Sequence, residues 1–163
     1  MIVSLAVLVA TAFSVGLDAQ APSNVRVERL LDAPIIAPGI HPSVGENIQG
    51  PSVIKVPEWV DDPLGDYYLY FADHKGLYIR LAYADDLLGP WTIHPPGSLQ
   101  IQDSHFLAEP PAVSSDVAER LRASQERRGV PMSHDGLFEA TTPHIASPDV
   151  QVDHQNQRIV MYF

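Results

Sequence analysis

Residues 66–91, DYYLYFADHKGLYIRLAYADDLLGPW, decide the fold of this chain. The first part, 67–72, is rich in aromatic residues and alternates in the way that a half-buried β-strand does. The tetrapeptide DHKG at 73–76 then predicts a turn, in which Gly76 is free to take a positive φ. A second strand is predicted over 78–84. The stretch therefore indicates two antiparallel strands joined by a tight turn.

The predicted sheet extends at both ends of this stretch. Residues 85–89 form the next turn, and GPW at 89–91 leads into a further strand over 91–94. Upstream, residues 52–56 are apolar and are interpreted as the innermost strand of the same sheet. A single meander cannot bury both of its faces, so the pattern predicts neighbouring elements on each side.

The order YYLYF, HKG, IRLAYAD and GPW resembles one blade of the five-bladed β-propeller shared by glycoside hydrolase families 43, 62, 32 and 117. IASPDV at 145–150, followed by an apolar strand at 158–163, is similar to the start of the next blade. The resemblance covers roughly residues 47–91 and 144–163. It implies an all-β fold, a partial five-bladed β-propeller of the family 43-like type with about one and a half blades. It also implies an O-glycosyl hydrolase that acts on an oligo- or polysaccharide, without indicating which glycan.

The chain has 163 residues, whereas five blades of on the order of 40–60 residues each need many more. We interpret it as the N-terminal part of a larger protein. The expected organisation is an extended lead-in over residues 20–46 and an incomplete propeller domain over 47–163. A loop and helix insertion is expected at about 95–143, with one short surface helix within 114–128, because Ser114 or Ser115 can cap its start.

The first residues have the pattern of a secretory signal peptide. An apolar run at 2–15 is followed by small residues, which favours cleavage after Ala19 (residues 1–19) with cleavage after Ala21 (1–21) as the alternative. The run is short for a membrane anchor. The protein is therefore predicted to be secreted or periplasmic, with no membrane attachment once the signal is removed.

Composition narrows the class of partner. The formal net charge is −10, and no basic stripe interrupts it, which argues against nucleic acid as a ligand. The 15 prolines outnumber the 10 glycines, which indicates a globular chain with many turns and few long helices. The charge gives no positive indication of a sugar ligand; an oligo- or polysaccharide partner is what the resemblance implies.

Glycoside hydrolysis requires two carboxyl groups across the scissile bond. In the resembling hydrolases the general base is an Asp before a Pro on the first inner strand, where this chain has Gly50. Of the nearby residues, Glu46 is the candidate base. The alternative is that Glu46 is an ordinary solvated residue of a loop. Asp149 matches a second Asp that orients the general acid and tunes its pKa, with a turn-capping Asp as the alternative. The acid itself, a Glu on a later blade, is expected beyond Phe163.

Four further residues are candidates for substrate binding. His74 lies at a strand-to-turn junction, where side chains often face a ligand, although an exposed turn histidine is the common alternative. Asn47 and His144 precede the inner strands of the two blades. Arg80 is a charged residue at an alternating strand position, where it faces water, pairs with a carboxylate or binds a uronic acid. We expect these side chains to converge with Asp149 at one mouth of the propeller.

Other chemistries are disfavoured by missing motifs. The seven histidines show no metal-binding spacing, and neither a Gly-rich phosphate loop nor a Gly-x-Ser-x-Gly elbow is present in the sequence. No cofactor is expected; a cation in the channel shared among blades is the one alternative. Gly50 at the base position favours a second function class, a non-catalytic carbohydrate-binding or interaction propeller.

Overall fold

A computed structural model describes residues 26–128 and 134–163. The predicted signal peptide falls on residues 1–19, outside the described part of the chain. Residues 26–30 contain neither helix nor strand. All the helices and strands described below belong to the compact unit Leu31–Phe163.

The central feature is a four-stranded antiparallel meander. It consists of β1 (Ile48–Lys55), β2 (Tyr67–Asp73), β3 (Tyr78–Ala84) and β4 (Thr92–Gln100), which lie side by side in that order. This confirms the predicted meander. β4 is longer than expected, because it continues through Pro95 and Pro96, where the sequence predicted a loop. β4 is an edge strand, which has a neighbouring strand on one side only. A proline there can lack its N–H without breaking a hydrogen bond between strands.

A second, two-stranded sheet follows later in the chain. β5 (Asp149–Asp153) pairs with β6 (Arg158–Tyr162) in an antiparallel hairpin, with Asp149 opposite Tyr162. Both strands were expected from the resemblance of residues 145–150 and 158–163 to the start of a blade. The fold is therefore mostly β, with two open antiparallel sheets in the described part of the chain.

The segment between the sheets contains two helices. The predicted surface helix is confirmed as α1 (Ser115–Arg128), and a short second helix, α2 (Gly136–Thr141), was not expected. Asp135 caps α2, because its Oδ1 accepts hydrogen bonds from the N–H groups of Leu137 and Phe138 at 2.8 and 2.9 Å. None of the helices among residues 26–128 and 134–163 is long and apolar enough to cross a bilayer.

The four-stranded sheet is covered on both faces. One face packs against the β5–β6 hairpin through buried residues such as Ile79, Leu81 and Val150. On the other face, Phe71 packs against Val44 of the lead-in, and both side chains are almost fully buried. Burial of such a side chain stabilises the fold by about 1.5–3 kcal/mol. The lead-in is thus a packed part of the fold over this stretch.

β1 and β5 lie next to each other and run in the same direction. The Ser52 hydroxyl accepts the Val150 N–H at 2.9 Å and donates to the Val150 carbonyl at 3.5 Å. Ahead of this contact, the backbone of Gly50 lies against that of Ser147. We call the end of the sheets formed by residues 45–50, 73–76 and 144–149 the proximal end. The opposite end, which contains Lys55 and His154, is the distal end.

Candidate functional site

Three chain segments meet at the proximal end and are joined by backbone hydrogen bonds. The His74 N–H donates to the Asn47 carbonyl at 2.9 Å, which attaches the β2–β3 turn to the start of β1. The Ile145 N–H donates to the Gly76 carbonyl at 3.0 Å, which attaches the segment before β5 to the same turn. The structure therefore brings Asn47, His74 and His144 together, although they are far apart in sequence.

The two histidines of this end form a stacked pair. The rings of His74 and His144 lie 16° from parallel, with their centroids 6.2 Å apart, and both residues are exposed. Nδ1 of His144 is 3.0 Å from the Thr142 carbonyl oxygen. Since a carbonyl only accepts, this contact assigns the Nδ1 proton and leaves Nε2 of a neutral ring as an acceptor.

Glu139 joins this pair from α2, and the sequence analysis did not single it out. Its Oε2 lies 3.2 Å from Nζ of Lys75 and 3.9 Å from Nε2 of His74. Lys75 also donates to the Glu139 carbonyl at 2.8 Å. The Lys75 and Glu139 side chains are only 11% and 15% exposed. This largely buried ion pair fixes the insertion to the β2–β3 turn.

Two non-glycine residues of the proximal end have a positive φ, as do Asp62 and Gln157 at the distal end. Lys75 and Ser147 have φ angles of 63° and 54°, in the left-handed region that non-glycine residues rarely adopt. Gly76, which the sequence predicted to have the positive φ, does not; it is needed for space, because a Cβ there would lie 2.8 Å from the Asp73 carbonyl oxygen. Each such residue costs about 1–3 kcal/mol, which the surrounding structure must offset.

Arg80 lies behind the proximal surface and is 7% exposed. Its Nε donates to the Ser43 carbonyl at 2.7 Å, and its guanidinium carbon is 4.3 Å from the Tyr78 ring centroid. Nη2 is 3.8 Å from Oδ2 of Asp73. Arg80 thus lies near a carboxylate, one of the three environments considered from sequence, and little of its side chain is exposed.

Asp73 in turn holds the loop that carries two candidate residues. Its Oδ1 accepts the N–H groups of Glu46 and Asn47 at 3.2 and 2.7 Å. Glu46 and Asn47 are both exposed. Arg80 and Asp73 therefore position the loop from which the Glu46 carboxylate and the Asn47 amide are presented.

Asp149 and Gly50 are placed by the contact between β1 and β5. Asp149 is the exposed first residue of β5, at the same end of the sheets as His74. Gly50 has a φ of 59°, and a Cβ at this position would clash with the Cα of Ser147. With this backbone, the position where the resembling hydrolases have their base cannot carry a carboxylate.

The proximal end thus combines two imidazoles, one ammonium group, two amides and several carboxylates. Such groups donate and accept hydrogen bonds near neutral pH and suit a polyhydroxyl ligand. Within residues 26–128 and 134–163, no three His, Cys, Asp or Glu side chains are grouped so that they could hold a metal ion.

Comparisons with known proteins give a viral relative. An uncharacterised protein of Acanthamoeba polyphaga mimivirus is 34% identical over 124 residues, which is 72% of this chain. The aligned part is 28% of that protein, so the chain spans less than a third of its relative's length. No family model and no solved structure matches the chain.

Proposed function

We propose that this chain contributes about one and a half blades to a five-bladed β-propeller of the glycoside hydrolase family 43-like type. The protein acts on an oligo- or polysaccharide, which binds at the proximal end. The signal at residues 1–19 directs its export to the periplasm or the medium.

The arrangement of β1 and β5 carries this proposal. Each of them opens its own antiparallel sheet, and the two run side by side in the same direction. A propeller has this relation between the inner strands of neighbouring blades, and ligands bind at one mouth of the channel they surround. The mimivirus relative is about three and a half times as long as the aligned region, and several blades of on the order of 40–60 residues fit in that length.

The proposed roles follow from position at the proximal end. Asn47, His74 and His144 hydrogen-bond to sugar hydroxyls, and Asp149 orients the general acid, a Glu on a later blade. Glu46 acts as the base in place of the missing Asp. Arg80 supports the Glu46 loop through Asp73.

Gly50 favours a second candidate, a non-catalytic carbohydrate-binding propeller. Its positive φ and its contact with Ser147 leave no room for the side chain of a base. A propeller that only binds a glycan at this mouth, without hydrolysing it, would need no carboxylate at residue 50.

Titration of the full chain against a panel of neutral and acidic oligo- and polysaccharides tests the proposal. Binding that is lost in His74→Ala and His144→Ala but kept in His154→Ala supports it, because His154 is exposed at the distal end. Since the proposed general acid is a Glu on a later blade, the hydrolysis assay uses the parent protein with all its blades: release of reducing ends with binding favours the hydrolase, and binding without release favours the binding module. Failure of every glycan to bind contradicts both.

A further inference from the structure

The insertion forms a cavity beside the histidine pair. It has a volume of about 270 Å³ and is lined on one side by Phe106, Leu107 and Pro111, and on the other by Thr142 and His144. His144 thus belongs both to the stacked pair and to this cavity. The cavity therefore borders the proposed glycan site at His144.

Two large apolar side chains are exposed in this cavity. Phe106 and Leu107 are 58% and 66% exposed, and contiguous exposed apolar groups mark ligand-binding grooves. The Phe106 ring meets the Phe163 ring edge-to-face, with their centroids 5.7 Å apart.

The backbone below this ring is tied to the core. The Phe106 N–H donates to Oγ of Ser104 at 3.2 Å, and that hydroxyl donates to the carbonyl of the buried Ile101 at 2.6 Å. His105, immediately before Phe106, has a φ of 64°. A fixed aromatic face beside a strained residue is a feature of a preorganised binding surface.

We propose that this cavity is a subsite for an additional, uncharged sugar unit of the glycan bound at the proximal end, an inference that rests on the proposed function. Among the residues that the structure describes, those lining it include no carboxylate, Lys or Arg, so they offer no counter-charge to a uronic acid or a sulfate. Phe106 supplies an apolar face for the C–H groups of a sugar ring, and His144 and Thr142 supply polar groups for its hydroxyls. The volume lies below the range of about 300–1,000 Å³ for drug-sized ligands, which limits the occupant to a short piece of chain.

Affinity as a function of chain length tests this subsite. The probes are oligosaccharides of one to six units, from the linkage that binds best in the panel, titrated into the full chain. We expect affinity to rise when the unit that reaches the cavity is added, and Phe106→Ala to remove that rise, roughly a tenfold loss. The shortest ligand that binds should keep its affinity in the variant.

Phe138→Ala is the matched control, because Phe138 is an exposed phenylalanine of the same insertion that packs on His134 and does not line the cavity. Affinity that does not depend on length, or an equal loss in Phe106→Ala for all lengths, overturns the subsite while the proposed function stands. A change in oligomeric state of Phe106→Ala on sedimentation, with unchanged glycan affinity, assigns the patch to a contact between copies and also overturns it. If no glycan binds at all, the proposed function fails as well.

Discussion

His74 and His144 lie with their imidazole rings stacked, 6.2 Å apart between centroids. Neither lies in the middle of a strand or helix. Their approach is set by the hydrogen bond between the neighbouring Ile145 N–H and the Gly76 carbonyl. The pair marks the place where the first sheet, the insertion and the second sheet meet.

The contact between β1 and β5 predicts a large cost for a side chain at residue 50. Gly50→Ala has both an unfavourable positive φ and a clash with Ser147, so we expect a loss of about 2 kcal/mol or more in the free energy of unfolding. Gly39 has a φ of 85°, but a Cβ added there would meet no atom within 4 Å. Gly39→Ala should therefore lose only about 1 kcal/mol. Equal losses in urea titrations of the two variants would contradict the close approach of β1 and β5.

The ion pair between the insertion and the β2–β3 turn predicts energetic coupling. A double-mutant cycle of Lys75→Met and Glu139→Gln should give a coupling energy of about 1–3 kcal/mol, because both side chains are largely buried. The exposed pair of Arg120 and Asp116 on α1 is the control, with an expected coupling of about 0.3–0.5 kcal/mol. Additive effects of the first two substitutions would show that α2 is not held by this pair.

The cap of α2 predicts a stability that depends on pH. The hydrogen bond from the Phe138 N–H lowers the pKa of Asp135, with further contributions from the Leu137 N–H and Arg122. The ionised carboxylate therefore stabilises the fold above the unfolded pKa of about 3.9, and this stabilisation is lost as the pH falls through the folded pKa.

Melting temperatures between neutral and acid pH should show this loss. Asp135→Asn keeps a cap but does not titrate, so its curve should fall less steeply below about pH 4. Hydrogen bonds from Asn156 and Arg158 also lower the pKa of Asp153, so its ionised carboxylate likewise stabilises the fold. Asp153 is present in the wild type and in Asp135→Asn, so some loss of stability in acid should remain in both. Melting temperatures that fall equally steeply with pH in the wild type and in Asp135→Asn would contradict the role of the Asp135 carboxylate.

Tyr70 predicts a loss of stability at alkaline pH. Burial, and to a lesser extent the nearby Tyr68, raise the pKa of Tyr70 to about 12. A tyrosine in the unfolded chain ionises near pH 10. The stabilisation of the fold by neutral Tyr70 is therefore fully present below that pH, and it is lost as the pH rises to about 12. Tyr70→Phe should flatten this part of the stability curve. A tyrosinate absorbance titration in which every tyrosine of the folded protein ionises near pH 10 would contradict the burial.

Much of the sheet could be predicted because the signals for its strands and turn lie within short stretches of the sequence. The aromatic alternation of β2 and β3 and the turn between them are visible in residues 66–91 alone. The extension of β4 through Pro95 and Pro96 was not visible, because proline is tolerated only on an edge strand and the sequence does not state the strand order.

The site was predicted only in part for a similar reason. The convergence of Asn47, His74 and His144 follows from the backbone hydrogen bonds His74–Asn47 and Ile145–Gly76, and it was expected from the resemblance to a propeller blade. Glu139 comes from a helix of six residues, too short for a periodic pattern, and the cap residue Asp135 was the one local signal for it. The burial of Arg80 depends on the lead-in packing over it, a non-local contact.

The most direct test of carbohydrate binding at the proximal end is to map a bound glycan onto the protein by amide chemical-shift changes. With the best ligand of the panel, we expect changes at residues 46–49, 74–76 and 139–149. The amides near Trp59 and His154, which line a separate cavity at the distal end, should stay unchanged. Changes confined to the distal end, or none at saturating glycan, would contradict a glycan site at the proximal end.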